Sequence, residues 1–161
     1  MKLRNHVILA TCIVYSVTGN VIGACAAAVG SLLPAVAGAK HHRYSHFIWP
    51  WVLVTGLAWY LLRAVEYSSL TLYIAFFLLS GAVLHILTDI LSDVGIPALS
   101  PEGEKCAFGL YKNGTRWETV TLMGLLVVFG VFAGIKGYLD VGYIAKQLQL
   151  LPRLLAASLY H

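Results

Sequence analysis

Apolar positions in this chain come in long runs, not in alternating or striped patterns. Trp49 to Leu62 forms one run between His46 and Arg63. Ser69 to Leu91 forms a second, with only His85 and Asp89 ionisable. Thr119 to Ile135 forms a third, free of charge and closed by Lys136. Each approaches the ~20 residues that a helix needs to cross a bilayer core of ~30 Å. The pattern predicts membrane spans over 47–62, 69–91 and 119–136. Buried helices of a large soluble core have similar patterns, but a chain of 161 residues has no such core.

The N-terminal third is broken differently. Val7 to Val17 is apolar, Thr18-Gly19-Asn20 interrupts, and Val21 to Leu33 is apolar again before Pro34. The stretch reads either as a single span or as two short helices over 6–34 that turn at Gly-Asn, since runs of 10–14 residues favour short elements. A cleaved signal segment is a third reading, because Ile22-Gly-Ala-Cys25 approaches a lipoprotein box. Asn20 inside the apolar stretch argues against it. From Tyr138 onward, leucines alternate with Lys146, Gln147, Gln149 and Arg153, which predicts an interfacial helix over 138–161, broken at Pro152. The expected fold is an all-α integral membrane protein, with a membrane domain over 1–137 and an amphipathic C-terminal segment.

Composition agrees: 59% of residues are hydrophobic and 11% charged, with a mean hydropathy of +0.78. With the hairpin in place, Lys2, Arg4, Lys40, Arg43, Lys105, Lys112 and Arg116 share one face, against Arg63 and Lys136 near the other. Cytoplasmic loops carry the Lys/Arg excess, so the first face is expected to be cytoplasmic. That bias explains a pI near 9.0 without nucleic acid. No glycine-rich phosphate loop or basic-aromatic stripe points to nucleotides. Cys12, Cys25 and Cys106 show no CxxC spacing and read as reduced thiols, the first two buried. Asn113-Gly114-Thr115 matches a glycosylation sequon but reads better as a turn. Gly19-xxx-Gly23 and Gly130-xxx-Gly134 allow close helix packing in lipid.

Candidate chemistry gathers in two loops, 38–46 and 92–118, and the helix ends beside them. Lys40 to Phe47 holds His41, His42 and His46, half of the chain's six histidines. His42 and His46 are four apart, and His85 and Asp89 repeat that spacing inside a hydrophobic span. Ionisable groups in such a span are expensive and mark function by default. His6 and Glu118 reach the same membrane boundary under the hairpin topology. Plainer roles exist for each. The plainer reading of His85 and Asp89 is a pair that meets only itself, that of the Lys40 loop a patch for anionic lipid, and that of Glu118 a helix cap. Convergence favours a metal site, with zinc or manganese as suitable ions.

Four segments in order, GSLLP (30–34), HRYSH (42–46), GAVLHILTDILSDVGIPALSP (81–101) and NGTRWE (113–118), resemble the YdjM family of inner-membrane proteins, regarded as metal-dependent hydrolases. The resemblance covers residues 6 to 118. It implies a bacterial inner-membrane location and a site built from His6, His42, Arg43, His46, His85, Asp89 and Glu118. Where that family has Pro-Asp-x-Asp, this chain reads Pro34-Ala35-Val36-Ala37. Two carboxylates are missing, which removes the usual bridges for a second metal.

The expected function is hydrolysis of an ester or phosphoester of a lipid-like substrate at the cytoplasmic interface. Metal ligands are His6, His42, His46, His85 and Asp89. Catalysis needs an open position, so Asp89 is expected to stand off and orient His85. Arg43 is an anion clamp, and Glu118 is a general base or a further ligand. The alternative is an inactive membrane scaffold or a metal-binding component of a larger assembly.

Overall fold

The computed structural model describes residues 1–37, 42–64, 70–97 and 99–159. It is all-helical apart from one small ribbon: α1 (Leu3–Thr18), α2 (Val21–Gly30), α3 (Leu33–Ala37), α4 (His42–Ser45), α5 (Ile48–Ala64), α6 (Leu70–Ile90), β1 (Ile96–Pro97), β2 (Lys105–Cys106), α7 (Arg116–Ile135) and α8 (Val141–Leu159). The antiparallel ribbon pairs Ile96 with Cys106 and Pro97 with Lys105. Apolar periodicity gave no sign of so short an element.

The N-terminal interruption is a turn between two helices. Gly19 adopts φ +65° at the end of α1, a conformation that favours glycine. Asn20 then caps α2, its side chain accepting from the Gly23 N–H at 2.9 Å. α1 therefore packs antiparallel to α2, and α2 packs on α6. α5 lies against α6, and α7 against α1. Val14, Ala24, Ala27 and Phe77 form the core between α1, α2 and α6.

The closest helix approach is at glycines other than the expected ones. A Cβ on Gly30 would lie 1.8 Å from the Leu78 carbonyl oxygen, and one on Gly81 would lie 2.0 Å from that of Ala27. Gly23 does meet the Phe77 ring, whereas Gly130 has open space around it. The α2–α6 backbone contact draws the end of α2 against the last turns of α6.

Among the described residues two helices, α6 with 21 residues and α7 with 20, are long and apolar enough to cross a membrane. α5 follows the expected 47–62 run but has 17 residues, about 25 Å at 1.5 Å per residue. The helix expected to break at Pro152 runs through it; one missing N–H is outweighed by the helical bonds on either side. Asp140 starts α8 by accepting from the Tyr143 N–H at 2.9 Å. Cys12, Cys25 and Cys106 are free thiols. Cys12 is half-buried and Cys25 exposed, contrary to expectation, because both lie on outward faces of the hairpin. Asn113-Gly114 is a turn, with Gly114 at φ +79°.

Candidate metal centre

Three separate stretches of the chain deliver four side chains to one end of the bundle. His6 comes from the first turn of α1, His46 follows α4, and His85 and Asp89 come from the last turns of α6. His6, His46 and His85 are all buried. With Asp89, Ala35, Ser92, Gly95 and Asn113 they line a cavity of about 400 Å³.

The three imidazoles turn the same nitrogen towards one carboxylate. His6 Nε2 lies 3.3 Å from Asp89 Oδ1. His85 Nε2 and His46 Nε2 lie 3.5 and 3.6 Å from Oδ2. The Met1 α-ammonium donates to Oδ1 at 3.1 Å, an ion pair. The rings of His6 and His85 stack at 3.7 Å with 12° between their planes, and His46 stands edge-on to His85 at 5.3 Å.

The opposite ring nitrogens are held by groups behind the site. His85 Nδ1 contacts the Ser31 carbonyl oxygen at 2.5 Å. A carbonyl only accepts, so Nδ1 carries the proton and Nε2 of the neutral ring is a bare lone pair. His6 Nδ1 lies 2.9 Å from the Thr88 hydroxyl, whose own proton is directed to the His85 carbonyl at 2.8 Å. The hydroxyl oxygen is then the acceptor, and His6 takes the same tautomer. His46 Nδ1 sits 2.9 Å from Ser45 Oγ, and Trp51 Nε1 donates to the Ser45 carbonyl at 2.8 Å, fixing that turn on α5.

The Met1 ammonium meets Asp89 at Oδ1, but it does not lie between the carboxylate and the three rings, whose lone pairs repel the carboxylate unless a cation does. Protonating both stacked rings would place like charges face to face. The Nε2–oxygen separations also exceed the 2.7–3.2 Å of ordinary N–H···O bonds. Donors bonded at 2.0–2.2 Å to a tetrahedral ion sit about 3.4 Å apart, close to the separations here. His6, His85 and Asp89, whose ligating atoms all lie within 4.8 Å of one another, could hold a metal ion.

Two expectations change. Asp89 faces the ligating nitrogens, so it does not orient His85 from behind; the Ser31 carbonyl does that. Glu118, expected as base or ligand, is 1% exposed and already engaged in the fold. Its Oε1 accepts from the Lys2 N–H at 2.7 Å and the Asn5 amide at 2.5 Å. Its Oε2 accepts from the Gly114 N–H at 2.7 Å. One carboxylate thus closes the N-terminal ends of both α1 and α7, where its charge is favourable. The side chains of His42 and Arg43 lie outside the described residues, as do residues 38–41.

Sequence reasoning missed Ser31, Thr88 and Asn5. The spacing of Thr88 from His85 was available; the partnership of Ser31 with His85 needed the close α2–α6 approach at Gly30 and at Gly81. Tyr111, also missed, is buried and donates to the Thr88 carbonyl at 3.2 Å. Burial, with Asp89, Glu118 and Asp93 nearby, pushes its hydroxyl above the usual range, so it remains a donor at neutral pH. Comparison with protein-family models, curated proteins and solved structures finds no match.

Proposed function

We propose that the chain is a membrane-embedded, mononuclear metal-dependent hydrolase, a divergent relative of the YdjM proteins, acting on an ester or phosphoester of a lipid-like substrate at one membrane boundary. The observation that carries this reading is the aim of the imidazoles: the Nδ1 atoms of His6 and His85 point outward at Thr88 and Ser31, and the Nε2 atoms point at Asp89. His6, His46, His85 and Asp89 hold the ion. Three nitrogens and one carboxylate favour zinc over manganese. When bound, such an ion supplies Lewis acidity for hydrolysis.

The protein's own residues orient, shield and support. Ser31 and Thr88 fix the ring tautomers, and Glu118 braces the α1 end that carries His6. Ala35 replaces a carboxylate of the resembled motif and lines the cavity, which supports one ion instead of two. Arg43 keeps the anion-clamp role on sequence grounds alone. α6 and α7 cross the inner membrane with the site on its cytoplasmic face, as the cation bias indicates.

A second reading rests on the same donor count. Four protein donors fill a tetrahedral ion, as in structural zinc sites, and a scaffold or assembly component would need no open position. Purified protein should release product from a panel of short-chain lipid phosphates and carboxylate esters. Chelator or His85→Ala should abolish the release. Metal binding without turnover on any member would assign the site to structure.

A further inference from the structure

Between α6 and α7 the chain runs Lys105-Cys106-Ala107-Phe108-Gly109-Leu110-Tyr111-Lys112, an apolar hexapeptide between two lysines. It is an ordered return strand tied to the end of α6. The Phe108 N–H donates to the Ile90 carbonyl at 2.7 Å, Gly109 to Ser92 at 3.3 Å, and Leu110 to Leu91 at 2.9 Å. Asp93 N–H in turn donates to the Tyr111 carbonyl at 3.0 Å. Tyr111 points inward, 3% exposed, and anchors the strand. Phe108 and Leu110 point the other way, 70% and 59% exposed.

We propose that this strand is a membrane-dipping wedge, with Phe108 and Leu110 seated at the headgroup–acyl boundary of a phospholipid leaflet beside the cavity mouth. The proposal rests on the membrane reading above. Its occupant is set by position: the loop leaves one membrane-length helix at Ile90 and enters another at Arg116. Both of its ends therefore stand at the same bilayer boundary. A backbone fixed there cannot withdraw two large apolar side chains from that layer. Lys105 and Lys112, both exposed, flank the wedge at headgroup level, where ammonium groups meet lipid phosphates. Trp117, 68% exposed at the start of α7, adds the aromatic side chain usual at such a boundary. Because Phe108 and Leu110 bond to residues that directly follow Asp89, the wedge offers lipid a lateral route to the cavity.

The exposed thiol of Cys106 allows a direct test in full-length protein reconstituted into phosphatidylcholine vesicles. An environment-sensitive fluorophore on Cys106, in a Cys12→Ala/Cys25→Ala background, should be quenched by shallow nitroxide lipids and spared by aqueous iodide. Adding Phe108→Asp and Leu110→Asp should remove the lipid quenching while metal binding persists. A reference fluorophore at Val128→Cys, mid-helix in α7, reports whether the bilayer is crossed at all. Iodide quenching at 106, or no quenching by either agent, alongside deep-nitroxide quenching at 128, would overturn the wedge and leave the membrane reading standing. Absence of lipid quenching at both positions would overturn the two together.

Discussion

At the scale of single residues, the site is defined by which nitrogen faces inward. Asp89 lies on the ligating side of all three rings, so Asp89→Asn should cost more metal affinity than any change behind the rings. Thr88→Val, which removes the acceptor for His6 Nδ1, should weaken metal binding by ~10–100-fold, the usual loss for an orienting partner. Competition titration against a chromogenic chelator would rank the two variants. Equal losses would mean that Asp89 is no ligand. His6, His46, His85 and Asp89 were visible in the sequence because ionisable groups are costly in apolar surroundings. The orienting groups were not. Ser31 acts through its carbonyl, which every residue carries, and Thr88 through a hydroxyl that is ordinary in a helix.

At the scale of elements, the site depends on two helix contacts. Gly81→Ala would drive a methyl group against the Ala27 carbonyl and push α2 from α6. The expected cost is about 1–3 kcal/mol of stability, with loss of metal as Ser31 leaves His85. Gly130→Ala, in open space, should leave both unchanged. Thermal unfolding in detergent, followed with and without added zinc, separates these outcomes. Glu118→Gln would set an amide N–H₂ against one of its three donors. It should lower the melting temperature and loosen the α1 end, while a retained metal site would confirm that Glu118 braces and does not ligate. Long apolar helices were legible because their runs are continuous. The close α2–α6 approach was hidden because each glycine meets a backbone far away in sequence, Gly30 that of Leu78 and Gly81 that of Ala27, whereas GxxxG spacing is local. The β1–β2 ribbon left no signal either, since two residues per strand show no period.

At the scale of the whole molecule, convergence was the legible feature. Separate polar groups placed at one boundary by the apolar runs do meet at one end of the bundle, as the His46–Asp89 and Glu118–Lys2 contacts show. Spanning was less legible than position: the 47–62 run did form a helix, but its 17 residues reach about 25 Å at 1.5 Å per residue, short of a bilayer core of ~30 Å. The proposed topology places positions 41 and 113 on one side and 67 on the other. Thiol labelling of His41→Cys, Asn113→Cys and Tyr67→Cys in intact cells should give that pattern. Opposite sidedness of 41 and 113 would contradict a single boundary site. The most direct test of the central claim is X-ray absorption at the metal edge of the purified protein, combined with metal analysis. A single ion per chain, with imidazole nitrogens and a carboxylate oxygen at ~2.0–2.2 Å and loss of the ion in His85→Ala, is the result expected. A well-folded protein that retains no metal after incubation with zinc would contradict it.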